Sequence, residues 1–392
     1  MTDHEFQLRF FILRRAMLRL IVNAGAGHTV VCGLLLLVAL VGFPPASIAG
    51  EPKFRPRVII STDFPPTNVI PVKAAAKGDR PERCSDPDDV QSMVRFLVYA
   101  NEFDVEGLIA SAGTFANVAN KTNILNMLDL YKQVDPNLVQ HDARFPTAAK
   151  LRSITWQGRD GAWGTPKVGT TAKPLDQILG ADKDSEASDA IIRIADQRDP
   201  RPVWVCVWGG SREVAQAIWK VQKTRSPAEL LKFLGKLRIY LVAKQDSTTD
   251  WLLENFPNLF VILSEKNYMG MFYNMVKSDP KLSDLAWLDA NARHGHGPLG
   301  AIYPPTGWDP KYHGTQEGDT PSFLYLVSAV RGLNDPEKPN QESWGGKFVR
   351  PDASKNHWFD DPAGTQTVSK WRADVQNDFA ARMNWCVTNN LK

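Results

Sequence analysis

Cysteine is scarce in this chain, and what there is forms no framework. The four cysteines of 392 residues stand far apart, at Cys32, Cys84, Cys206 and Cys386, so neither a disulfide-stapled fold nor a Cys/His metal site is written here. A charge of one sign is missing too. The formal net charge is +3 and no basic block occurs, which leaves no electrostatic footprint for nucleic acid. No repeat period and no low-complexity tract is visible, so solenoid and low-complexity architectures drop out. Past residue 50 there is no apolar run long enough to cross a bilayer. What remains is a chain long enough for one large α/β domain or two medium ones.

The first residues read as an address rather than as part of the fold. Arg9, Arg14, Arg15 and Arg19 precede an apolar run from about Thr29 to Phe43, and Ser47-Ile48-Ala49 follows as a small-residue cleavage triplet. Charged region, apolar region and cleavage site in that order describe a secretory signal peptide over residues 1–49. The expectation is a secreted or periplasmic protein whose mature α/β domain covers residues 50–392, with an uncleaved N-terminal anchor as the alternative and Met17 as a second candidate start.

From Val58 the pattern alternates between buried-type strands and amphipathic helices. Val58-Ile59-Ile60-Ser61-Thr62-Asp63 is an apolar run ending on an acid. Val90, Met93, Val94, Leu97 and Val98 line one face of a helix that opens on Asp86-Pro87-Asp88-Asp89. Val105–Thr114, a buried strand running into a Gly/Thr loop, Pro202–Trp208, Leu237–Val242 and Leu259–Leu263 read as further strands, and helices follow them. This succession predicts a mostly parallel central sheet flanked by helices on both faces. Thr155–Lys183, with five glycines, reads as a long surface loop in which Trp156, Asp160 and Trp163 are candidates for substrate contact or for structural roles.

Ligands bind such sheets at the carboxyl ends of the strands. Asp63, Asp86, Asp88 and Asp89 converge there and repel one another unless a cation or a proton relieves them, so they predict a hard-metal site of oxygen ligands, with Ca²⁺ the expected ion. Capping of the following helix is the simpler reading of Asp86 and Asp88. Gly209-Gly210 after a strand, Gln245, and Glu265 with Asn267 recur at the same edge and look like one rim. Asp319 precedes Thr320-Pro321 as an N-cap. His294 and His296 offer metal ligands or loop residues. Tryptophan is frequent at 12 residues, and its indole faces suit either sugar rings or the core.

Ile60-Ser61-Thr62-Asp63, Asp86-Pro87-Asp88-Asp89, Trp208-Gly209-Gly210 and Glu265-Lys266-Asn267 together resemble the nucleoside hydrolase superfamily. Tyr99–Ile109 and Glu317–Leu324 resemble, more closely, the nucleoside hydrolase-like domain of secreted bacterial proteins labelled cellulose-binding, over about Arg57 to Met383. The resemblance implies a nucleoside hydrolase-like α/β fold. It implies Ca²⁺ held by Asp63, Asp89, the Trp208 carbonyl and Asp319, with Asp63 also the general base toward water. Asp88, Glu265 and Asn267 would hold the hydroxyls of a small sugar, nucleoside or oligosaccharide. Two departures stand out. Gly318 occupies the place of the superfamily's His that helps the base depart, so a leaving-group acid would come from elsewhere, His294 or His296 included. The excursion Phe64–Cys84 splits the acidic loop. A Ca²⁺-dependent hydrolase of an N- or O-glycosyl bond is therefore the expectation, and a non-catalytic, cellulose-type carbohydrate-binding protein is the alternative.

Overall fold

The computed structural model describes residues 54–74, 83–114, 117–161, 173–275 and 280–387. The expected signal segment 1–49, Cys32 and Trp163 lie outside them. The strands are β1 (Arg57–Thr62), β2 (Ile70–Pro71), β3 (Cys84–Ser85), β4 (Asp104–Ala110), β5 (Thr155–Gln157), β6 (Val203–Val207), β7 (Leu237–Val242), β8 (Phe260–Ser264), β9 (Phe348–Val349) and β10 (His357–Asp360). Eight of them form one sheet in the order β5-β4-β1-β6-β7-β8-β10-β9. All neighbours are parallel except β9, which pairs antiparallel to β10. The expected mostly parallel α/β sheet is the observed one.

Every residue of β1 and of β6 is buried, which parallel strands require when helices cover both faces. Successive residues face opposite ways. Val58, Ile60, Trp204 and Cys206 therefore enter one core, while Ile59, Val203, Val205 and Val207 enter the other. The first core is closed by α1 (Asp88–Tyr99), whose apolar stripe behaves as the sequence pattern requires. Across the sheet, α2 (Arg212–Thr224) buries Val214, Ala217, Ile218 and Val221 in the second core. Back on the first face, α3 (Thr320–Val330) and α4 (Arg372–Asn384) pack against α1. Cys206 and Cys386 are buried free thiols.

One expectation changes. The stretch from Thr155 begins as the edge strand β5. Trp156 in it packs on the core with Arg193 over its ring, and Asp160 accepts from the Ala119 amide. Neither lines the cavity beyond the carboxyl ends of β1 and β6. In the described parts of the stretch after Asp63, β2 pairs parallel with β3.

β1 fixes the site. It pairs with β4 on one side and β6 on the other, so the chain leaves β1 in one direction and later returns past it. This reversal is a topological switch point, and the crevice opens beyond the carboxyl ends of β1 and β6.

Candidate functional site

At that crevice lies a cavity of about 250 Å³ lined by Asp63, Asp86, Asp88, Asp89, Thr114, Trp208, the 242–245 turn, Tyr268, Phe272, Trp308 and Asp319. Asp63 leaves the end of β1 and is 2 % exposed. Two glycines make room for it. A Cβ on Gly209 would lie 2.8 Å from Asp63 Oδ1, and one on Gly113 would collide with the same carboxylate. Only residues without side chains let two loops approach so closely.

Asp88 and Asp89 form the first turn of α1, where the positive helix end favours carboxylates. Asp86 Oδ1 accepts from the Asp88 amide at 3.2 Å, and Asp88 Oδ1 accepts from the Asp89 amide at 2.9 Å. The Thr62 hydroxyl donates to Asp89. Asp319 precedes α3 but makes no side-chain capping bond. Among the described residues its buried Oδ2 has no hydrogen-bond partner, and the residue is 2 % exposed. Carboxylate oxygens of Asp88, Asp89 and Asp319 all fall within 4.8 Å of one another. Three acidic oxygens so close, one of them otherwise unsatisfied and under a helix N-terminus, form a donor set suited to a hard cation. Asp88, to which the family resemblance gives a sugar hydroxyl, is thus part of the carboxylate cluster that the residue pattern predicts.

Burial dominates the electrostatics. Desolvation pushes Asp86 and Asp89 up to about 7, with the neighbouring charge of Asp89 adding to Asp86 and the Thr62 hydrogen bond opposing it at Asp89. Asp88 and Asp319 are driven well above the carboxylate range, first by burial and then by the surrounding acids. Each group binds its proton more tightly folded than unfolded, so its stabilising contribution is complete below pH about 4. For Asp86 and Asp89 that contribution is lost as the pH rises through about 7. Without a divalent cation, the chain is expected to lose on the order of a few kcal/mol between pH 5 and 8, and Asp89→Asn to flatten that slope. Urea unfolding with chelator at both pH values measures it; equal slopes in the two proteins would contradict it.

The Trp208 carbonyl is at the cavity and accepts from the Gln245 amide, while Gln245 Oε1 accepts from the Thr114 amide at 3.0 Å. Gln245 thereby ties the ends of β4, β6 and β7 together. The Trp208 indole donates to Ser322 Oγ at 2.8 Å, and Ser322 donates to the Asp319 carbonyl at 2.6 Å. A Cβ on Gly318 would lie 2.8 Å from Asp88 Oδ2, so a side chain there would have to displace Asp88.

Glu265 and Asn267 do not come to this cavity. Glu265 is exposed, and the amides of Glu265 and Lys266 donate to Asp360 Oδ2 at 2.9 and 2.5 Å. Asn267 is fully buried and donates to the Lys347 carbonyl at 2.8 Å. The cause is β10: its Asp360 captures the turn after β8 and rotates these side chains away. His294 is exposed beside Asp289, and His296 meets Asn384, so neither lines the cavity as a leaving-group acid. Tyr268, Phe272, Trp308 and Thr62 were not singled out from the sequence. Only Thr62 carried a signal, as the hydroxyl next to Asp63.

No curated protein matches this sequence. Among solved structures, a nucleoside hydrolase-related hypothetical protein from Saccharophagus degradans associated with carbohydrate metabolism is 35% identical with a TM-score of 0.66, over 86% of this chain and 73% of that one. The effector protein XOO4466 is 12% identical with a TM-score of 0.46, over 86% and 95% of the two chains. The type III effector XopQ, complexed with adenosine diphosphate ribose, is 11% identical with a TM-score of 0.43, over 86% and 96%. Residues 82–348 match the family described as cellulose-binding Sde182, nucleoside hydrolase-like domain. With the fold, the switch-point crevice and that match in agreement, the chain belongs to the Sde182 nucleoside hydrolase-like family.

Proposed function

We propose that this protein is an exported, Ca²⁺-dependent hydrolase of a glycosyl bond. The observation that carries the reading is the pairing of Asp63, set in its glycine cradle, with the Asp88, Asp89 and Asp319 carboxylates in one cavity. Those three side chains would hold the ion, with Asp63 and the second lone pair of the Trp208 carbonyl as the further ligands that the family resemblance implies. A bound Ca²⁺ would supply charge that draws vicinal sugar hydroxyls and makes a neighbouring water more acidic. Asp63 accepts the proton of the attacking water at a carboxylate oxygen. Thr62 and Gln245 hold the acids and the strand ends in place, and the Tyr268, Phe272 and Trp308 rings limit solvent access. Export rests on the residue 1–49 pattern.

One observation favours the second reading, a carbohydrate-binding protein without turnover: Gly318 brings no side chain to a departing group, and Asp88 fills the space one would need. Release of reducing sugar from a panel of nucleosides and glycosides, with Ca²⁺ and with chelator, separates the two. The protein for it is recovered from periplasm or medium, where a mature N-terminus near Gly50 reports export. Ca²⁺-dependent release on any member supports the hydrolase. Sugar binding with no release across the panel replaces it by the binder, and neither binding nor release removes both readings.

A further inference from the structure

Trp308 stands apart from the other tryptophans. Every other described tryptophan either belongs to one of the two cores or packs against it, whereas Trp308 does neither. It is half-buried on the wall of the acidic cavity, yet it is held from three directions. Its backbone amide donates to the Asp86 carboxylate. Its carbonyl accepts from the Lys73 amide at 3.2 Å. The Lys73 ammonium lies 4.0 Å from the ring centroid and pairs with Asp309 at 2.6 Å, a cation–π contact that fixes the ring. Lys73 comes from the Phe64–Cys84 excursion, so that excursion serves as the clamp on an aromatic side chain at the rim. A large apolar surface that fills no core, and is nonetheless fixed beside a polar cavity, is a surface built for a ligand.

Size says which part of the ligand. A cavity of about 250 Å³ is below the roughly 300 Å³ at which pockets for drug-sized molecules begin, so it encloses one ring of a glycoside and leaves a second ring at the rim. We propose, resting on the glycoside reading above, that Trp308 clamped by Lys73 is the platform on which the second ring stacks, across the scissile bond from the ring held by the acids. Trp308 is the specificity-determining residue of that subsite and Lys73 its positioning residue. The shared chemistry is a flat-faced ring, either a sugar of an oligosaccharide or a nucleobase.

Calorimetric titration of the mature chain with Ca²⁺ present tests this, using glucose against cellobiose and ribose against adenosine. Trp308→Ala is expected to weaken the two-ring ligand about tenfold, the worth of one stacked ring, and to leave its one-ring counterpart within about twofold. Trp308→Phe should retain most of the affinity. Lys73→Met should cost about threefold on the two-ring ligand only, and Lys73→Arg should restore it. A selective loss on cellobiose assigns the platform to a sugar, and one on adenosine to a base. Equal losses on one-ring and two-ring ligands, or no loss on either, overturn the platform while the glycoside reading stands. Wild-type protein that binds none of the four removes the glycoside reading, and the platform with it.

Discussion

Asp63→Asn is expected to reduce glycoside turnover by about 10² to 10⁴, the usual contribution of a positioned general base, while the cation and the sugar still bind within a few fold. The amide has the shape of the carboxylate, so it fits the space that Gly113 and Gly209 leave, but it cannot accept the proton of the attacking water. The prediction separates two roles that the family resemblance gives to one residue. The three carboxylates that meet within 4.8 Å are Asp88, Asp89 and Asp319, without Asp63. Asp319→Asn should therefore abolish the thermal stabilisation by Ca²⁺, and Asp63→Asn should keep most of it. Parallel melting curves and initial rates read both quantities. Unchanged turnover in Asp63→Asn would exclude the base role. Loss of the calcium shift together with turnover would make Asp63 a ligand first.

The central strands were legible because covering both faces of a parallel sheet forces them to be apolar throughout. β6 is such a run from end to end, and β1, β7 and β8 are apolar at their centres, with Arg57, Ser61, Thr62, Arg238 and Ser264 as the polar exceptions. The strands toward the two sides of the sheet, β5 at one edge and β10 next to the other, escape part of that constraint: Thr155-Trp156-Gln157 and His357-Trp358-Phe359-Asp360 are only partly buried and carry polar residues, so no apolar run marks either of them. The same difference divides the site. Asp63, Asp88 and Asp89 sit directly at the end of a strand or the start of a helix, where local pattern fixes position. Glu265 and Asn267 depend on the direction of a turn that Asp360 decides from β10, next to β8 in the sheet but far along the sequence. Trp308 depends on an irregular segment held by long-range bonds from Gln91 to the Pro304 and Gly314 carbonyls. No periodicity encodes bonds of that kind. For α1 the helical stripe showed which residues are apolar, but its polar side is buried as well, Gln91, Ser92 and Arg95 included.

That buried polar side leads to the largest expected loss of stability, from Glu317→Ala. Glu317 opens the Glu317–Leu324 motif of the family resemblance, which assigns it no role at the site. In the fold it is completely buried and binds Arg95 through both oxygens, at 2.5 and 3.0 Å, with the Tyr303 hydroxyl donating to it at 2.5 Å. Arg95 is equally buried and also donates to Gln376 of α4 at 2.7 Å. Two residues on, the same chain places Asp319 in the acid cluster, so the pair fixes the turn that aims a carboxylate at the cavity. Removing one partner leaves a buried charge uncompensated, which costs about 3–5 kcal/mol. The double replacement Arg95→Met with Glu317→Leu should recover most of this, because apolar residues of similar volume remove the stranded charge. Urea unfolding of the three variants measures the stability terms, and Ca²⁺ titration of the double variant measures the turn. Recovered stability with weakened cation binding would show that the ion pair serves Asp319, whereas recovery of both would make it a core contact alone. A loss under about 1 kcal/mol in Glu317→Ala, the range of exposed pairs, would mean that water reaches Arg95 once the carboxylate is gone.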